Sequence, residues 1–248
     1  MFPLRDDNPT LLTPVITIGL ILANVIVWLY VQGAGMSPDA LSQSICQFGV
    51  IPAEITGQLG GYEGVQLSPQ LPPCQFGGLG WETVLTSMFM HGSWLHLIGN
   101  MWFLWLFGNN VEDSMGHGRY LVFYLLCGLA AAAAQTLVNP NSAIPMVGAS
   151  GAISGVMGAY IVLYPRVRVH MIIFLGFFIT RAVVPAYVML GYWFVLQILG
   201  GLPSLGGDDT GGVAVWAHAG GFVAGAALIF LFRDEDLVAR HRALARYV

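Results

Sequence analysis

Lysine is absent from the sequence, and all nine of its cations are arginine. Charge of either sign is scarce: Asp, Glu, Lys and Arg together make up 9% of 248 residues, against about 25% in ordinary soluble domains. A soluble domain of this size cannot cover its surface with so few charges, which excludes an aqueous globular protein. A short apolar leader is missing as well. The first apolar run, Pro14 to Val31, is longer than the roughly 7–15 residues of a signal-peptide core, so it is read as a first span and no cleavable signal is expected. The alternating pattern of a membrane β-barrel is also missing, because the apolar runs are continuous and long.

What remains is apolar. Hydrophobic residues make up 56% of the chain and the mean hydropathy is +0.71. The expected class is all-α: a polytopic membrane helix bundle forming a single domain over residues 1–248. Six segments, near 14–32, 93–109, 119–138, 149–165, 183–200 and 213–232, can each cross a bilayer at about 20 residues per crossing. Residues 33–92 are rich in Gly, Pro, Gln and Ser and are expected as an outside loop, too irregular for lipid unless buried in protein. The stretch PRVRVHMIIFLGFFITR, 165–181, is apolar but bracketed by arginines, and reads as a re-entrant or interfacial piece rather than a seventh span. Residues 233–248 form a short cytoplasmic tail. It mixes both charge signs as an amphipathic helix does, so nucleic-acid binding has no support.

The arginines fix the expected orientation. With six spans and the N-terminus inside, the cytoplasmic side receives Arg5, Arg119, Arg166, Arg168, Arg181, Arg233, Arg240, Arg242 and Arg246. The outside loops, 33–92, 139–148 and 201–212, receive no arginine but carry Asp39, Glu54, Glu63, Glu82, Asp208 and Asp209. Both termini are therefore expected in the cytoplasm. Cys46 and Cys74 share the first outside loop, where they form either a disulfide or two free thiols. Cys127 falls in the third span and reads as packing.

Polar residues inside spans are costly, and each is a functional hypothesis by default. Three clusters stand out: HGSWLHLIGN at 91–100, GASG at 148–151 and WAHAGGFVAG at 216–225. Their three spans run in the same direction, which puts Ser150, His218, His96 and Asn100 in one shallow layer. A serine hydroxyl is a weak nucleophile until a base takes its proton, and histidine is the usual base. Ser150 opens a helix, where free N–H groups and the dipole favour developing negative charge. His96 and Asn100 lie four apart on one helical face, and both can donate hydrogen bonds to an oxyanion.

No acid in the sixth span is placed to orient His218, so the pattern is a Ser–His dyad rather than a triad. The α/β-hydrolase elbow is absent, since Ala152 stands where it needs glycine. Simpler readings compete. Gly-Ala-Ser-Gly is also a small-residue packing face; Gly151 and Gly155, like Gly221 and Gly225, are spaced for close helix contact. A lone span histidine also serves as a strut or a proton-handling group. A transporter would need charged residues deep in the spans or paired broken helices, and none is visible. No cofactor or metal is expected, because His96 and His218 lack carboxylate or thiolate company at ligand spacing.

These motifs resemble the rhomboid family of intramembrane serine proteases, in its six-span bacterial form. The resemblance runs from about Trp81 to Phe232. It rests on His91, His96 and Asn100 in the second span, Gly148-Ala149-Ser150-Gly151 opening the fourth, and Ala217-His218-Ala219-Gly220-Gly221 with Gly225 in the sixth. It implies Ser150 as nucleophile and His218 as general base, with His96, Asn100 and the Ser150 N–H as oxyanion hole. It further implies a supporting role for His91 and a structural anchor in Glu112. The 33–92 loop would lie partly in the outer leaflet, and the fifth span would be a mobile wall where substrate enters. Its location would be the bacterial inner membrane, its substrates single-span membrane proteins; oligomeric state is left open. The alternative within the resemblance is an inactive relative that binds membrane clients. Two departures matter: Trp81-Glu82 stands where the family often has Trp-Arg, and Ser154 stands where many members stack an aromatic ring on the histidine. The expectation is that Ser154 packs or reaches His218 by a hydrogen bond.

Overall fold

Long apolar runs free of internal proline form helices, and residues that cannot continue them set the ends. In a computed structural model, the described residues are 2–60, 64–66, 73–77, 80–175, 178–206 and 213–244; Glu63, Asp208, Asp209 and Arg246 lie outside them. The helices are α1 (Val15–Ile26, widening into a π-helical turn over Val27–Val31), α2 (Pro38–Phe48), α3 (Pro52–Ile55), α4 (Thr83–Thr86), α5 (Trp94–Met115), α6 (His117–Val138), α7 (Ser150–Leu163), α8 (Ala186–Gly201), α9 (Val215–Phe232) and α10 (Glu235–Leu244). Six of them, α1 and α5 to α9, occupy the six segments read as spans. Helix α6, the stretch Ala186–Leu205 and α9 are long and apolar enough to cross a membrane, while Val15–Val31 and α7 are shorter apolar helices.

Helix α7 is the axis of the bundle, buried continuously from Gly151 to Tyr160. Its contact with α9 runs backbone to backbone. A methyl group on Gly225 would lie 1.9 Å from the Gly155 carbonyl oxygen, and one on Gly221 would lie 2.1 Å from that of Gly151. On the other side, a methyl on Gly155 would strike the Cys127 side chain of α6 at 2.4 Å. Small residues thus let three helices share one tight seam. The packing expected of Cys127 is what its buried thiol does.

Polar side chains close the helix ends. The first N–H groups of a helix have no internal acceptor. At α1 they meet Glu112, fully buried near the end of α5, which accepts from the Ile16 N–H at 3.0 Å and the Thr17 N–H at 2.9 Å. The same carboxylate takes the Thr17 hydroxyl at 2.7 Å and sits 2.6 Å from His117 Nδ1. Its neighbour Asp113 accepts from the Leu12 N–H at 2.8 Å. Gly116, with φ 77°, makes the sharp reversal between α5 and α6, a conformation that residues bearing a Cβ rarely adopt.

A three-stranded sheet is added to the helices at the arginine-bearing end. Strands β4 (Arg168–Leu175) and β5 (Phe178–Pro185) form an antiparallel hairpin, and β1 (Phe2–Asp6) pairs with β4. The stretch expected as a re-entrant or interfacial piece is therefore β structure, consistent with its β-branched and aromatic content. Asp7 ties this end together by pairing with Arg5, Arg168 and His170. The Tyr160 hydroxyl of α7 donates to Asp6, and burial lifts the Asp6 carboxyl to about 6 from an ordinary 3.8.

At the opposite end, residues 33–92 carry α2, α3, α4 and a small ribbon of β2 (Gly64–Val65) with β3 (Cys74–Gln75). A disulfide joins Cys46 to Cys74 with the Cα atoms 5.4 Å apart, which resolves the alternative between a bridge and two thiols. The loop is tied to the segment preceding α7 by paired backbone bonds between Val50 and Met146, at 2.9 and 2.7 Å.

Three outcomes test this packing. Glu112→Ala leaves two buried N–H groups unpaired, each worth about 1–3 kcal/mol; denaturation in detergent micelles should show a loss of about 2–4 kcal/mol. Gly225→Ala forces α7 and α9 apart and should cost about 1–3 kcal/mol by the same measurement. The folded protein holds the Asp6 proton more tightly than the unfolded chain, so stability should fall as pH rises from about 4 through 6. That slope should flatten in Asp6→Asn.

Candidate active site

The segment leading into α7 is held from three sides. Beyond the Val50–Met146 pair, the Gly148 N–H donates to the Ser87 carbonyl at 2.9 Å. Gly148 has φ +132°, and a Cβ there would lie 2.8 Å from His96 Nε2 and 3.4 Å from Ser150 Oγ. Only glycine admits this backbone and this closeness, and it brings the imidazole of α5 to the mouth of α7. Ser150 is the first residue of α7, so its N–H has no intrahelical acceptor.

Helix α9 brings His218 to the same point. Two N–H groups at the start of α9, those of Trp216 and Ala217, donate to Oε1 of Gln135 on α6, at 3.1 and 3.2 Å. That side-chain cap fixes the end of α9 that carries the histidine. His218 Nε2 lies 2.7 Å from Ser150 Oγ. Its other ring nitrogen, Nδ1, lies 2.8 Å from Oε1 of Gln197 on α8. The face of the ring meets Trp193, with centroids 5.9 Å apart and planes inclined at 38°. Gln197 Oε1 can only accept, so the contact fits the tautomer with the hydrogen on Nδ1, in which Nε2 accepts from the serine hydroxyl.

A cavity of about 640 Å³ opens beside this pair, lined among others by His96, Asn100, Ser150, Trp193 and His218. All four residues singled out in the sequence therefore border one space. Asn100 is buried, and its Nδ2 makes no hydrogen bond among the described residues. His96 Nδ1 accepts from the Gly92 N–H at 3.3 Å, which leaves Nε2 directed toward Gly148 and the cavity. His91 does not line this cavity: it is fully buried and packs edge-on against His96 with centroids 5.1 Å apart. Its backbone is gripped by Gln32 of α1's C-terminal end through two bonds of 2.7 and 2.8 Å.

The hydrogen bond from Ser154 to His218 does not form. The Ser154 hydroxyl turns back and donates to the Ser150 carbonyl one turn earlier at 2.6 Å, the usual local partner of a serine inside a helix. The ring contact that Ser154 cannot make is made by Trp193. Sequence reasoning missed Trp193, Gln197 and Gln135. The signal for Gln197 was present: it is the one amide in the apolar run of α8, and a polar side chain in a span needs a partner.

Comparison with known proteins gives the family of the chain. The Rhomboid domain model matches residues 79–235, a stretch that contains every cavity residue named above. Rhomboid-like protein 11, chloroplastic, of Arabidopsis thaliana is 31% identical over 146 residues, 55% of this chain and 52% of that protein. Rhomboid protease GluP of Bacillus subtilis is 33% identical over 148 residues, 60% of this chain and 26% of that protein. Rhomboid protein 1, mitochondrial, of Saccharomyces cerevisiae is 30% identical over 97 residues, 37% of this chain and 28% of that protein. The chain thus spans about half the length of these relatives, or less. The family model covers well over half of the chain and contains α5, α7 and α9 in full; the protein belongs to the rhomboid family.

Proposed function

We propose that the protein is an intramembrane serine endopeptidase. It hydrolyses peptide bonds in or near the transmembrane segment of single-span membrane proteins by a Ser150–His218 dyad. The observation that carries this reading is the 2.7 Å contact between Ser150 Oγ and His218 Nε2 at the edge of a cavity shared with His96 and Asn100. The protease named among its relatives is consistent with it.

The geometry supports the following steps. Ser150 Oγ attacks the scissile carbonyl carbon while its proton passes to His218 Nε2. The carbonyl electron pair moves onto oxygen, where the free Asn100 Nδ2–H, His96 and the Ser150 N–H donate to the oxyanion. Collapse breaks the C–N bond, and the proton on Nε2 goes to the leaving amine. A water molecule then attacks the ester, giving its proton to the same nitrogen, and Ser150 is released with its hydroxyl restored. The mouth of α7 supplies the helix N-terminus that favours the developing charge.

The membrane arrangement belongs to the same proposal. Helices α1 and α5 to α9 cross the bilayer as six spans of one domain, with both termini in the cytoplasm, as the arginines direct. In a bacterial cell this is the inner membrane, with the cavity opening near the outer face. The second reading, an inactive relative that binds membrane clients, has in its favour only that relatives include proteins named rhomboid-like rather than protease.

One experiment separates them. Ser150→Ala and His218→Ala should each abolish cleavage of a model single-span substrate in proteoliposomes while the protein stays folded. A fluorophosphonate should label Ser150 in the wild type and not in His218→Ala. Undiminished cleavage by purified Ser150→Ala sinks the proteolytic reading; absence of both labelling and cleavage in the wild type selects the binding one.

A further inference from the structure

A neutral imidazole carries one N–H, and which nitrogen holds it decides whether His218 can act as a base toward Ser150. With the hydrogen on Nε2 the ring would donate to Ser150 Oγ and could not accept its proton. With the hydrogen on Nδ1 the lone pair of Nε2 faces the serine. Something must favour the second form, and no carboxylate bonds to this ring among the described residues.

Helix α8 supplies two contacts from one face. Gln197 Oε1 lies 2.8 Å from His218 Nδ1, and Trp193, one turn earlier, covers the face of the ring. The same face continues into α9: Trp193 meets Phe222 at 6.0 Å and Phe194 stacks on Phe222 at 4.7 Å with planes inclined at 26°. Tyr192, Val195, Leu196 and Leu199 of α8 are exposed, so the middle of α8 meets the bundle through Trp193, Phe194 and Gln197. The hydrogen bond and the ring contact hold the imidazole at its edge and its face together.

We propose that Gln197 is the positioning residue of the dyad: its amide oxygen holds His218 as the Nδ1–H tautomer and aims Nε2 at Ser150. The assignment rests on the hydrolytic reading above. An amide suits this place because it accepts the Nδ1–H both before and after His218 takes the serine proton, without putting a second ion into an apolar layer, where an unpaired charge is costly. It takes the orienting place of the acid in a Ser-His-Asp triad, and it does so from a helix separate from those carrying the serine and the histidine.

Gln197→Leu, Gln197→Glu and Ser150→Ala, compared with the wild type in proteoliposomes on one model substrate, test it. Gln197→Leu should lower kcat about 10- to 100-fold with KM unchanged within about twofold, because the lost contact orients the base rather than holding substrate. Gln197→Glu, which keeps an oxygen acceptor but brings the cost of a buried acid, should restore part of kcat. Nitrogen-15 spectra of the His218 ring should show the Nδ1–H tautomer in the wild type and a mixture in Gln197→Leu, a readout that simple loss of packing does not produce. Wild-type kcat, or an unchanged tautomer, in Gln197→Leu overturns the assignment alone, provided Ser150→Ala is inactive. Loss of kcat in Gln197→Leu that Gln197→Glu fails to restore also overturns it. Cleavage by Ser150→Ala at the wild-type rate overturns the hydrolytic reading and this assignment with it.

Discussion

Where Gly225 meets the carbonyl of Gly155, two helices touch through their backbones with no side chain between them. In lipid there is little hydrophobic drive to bring helices together, and close packing has to supply the attraction. The contact recurs one turn up, where Gly221 meets Gly151. That second contact lies next to Ser150 and close to His218. The meeting of hydroxyl and imidazole is thus the continuation of a seam whose spacing is set by glycine. A longer side chain anywhere along it would move the two reacting groups as well as the helices.

The second constraint is the shortage of water to satisfy helix ends. At α1 the orphan N–H groups find Glu112, and at α9 they find Gln135. In each case the acceptor comes from a different helix, so capping doubles as tertiary structure. The two ends use different chemistry. Glu112, a carboxyl with two acceptor oxygens, is used at the arginine-bearing end, beside His117. Gln135, a neutral amide, is used near the dyad, and Gln197 repeats the choice. Around His218 the structure relies on amides where a charge would need a partner.

Most of the site was legible in the sequence because span direction and polarity together define depth. Ser150, His96, Asn100 and His218 lie near corresponding ends of helices running the same way, so their meeting follows from counting crossings. The glycine seam was legible from four-residue spacing. What could not be read was the company of His218. Ser154 was the nearest polar side chain in the motif, but inside a helix its hydroxyl is taken by the carbonyl one turn back. Gln197 comes from a helix without a motif, and sequence alone does not give the rotation of α8 that turns it inward. The hairpin of β4 and β5 was obscured differently: its continuous apolar run is long enough to suggest insertion into lipid, and its partner β1 lies far away in sequence.

The first turn of α1 is satisfied by Glu112, about 95 residues later in the chain, and the segment before it is gripped by Asp113 and, through the Pro9 carbonyl, by His241. During synthesis α1 therefore emerges long before the groups that complete it. Its open N–H groups wait for α5, as does the bond from Asn110 to the Pro9 carbonyl, and the second hold on that carbonyl waits for His241 of α10. Contacts so distant in sequence are slow to close. Completion of this end is accordingly a late event, in which α10 helps secure a segment made 232 residues earlier.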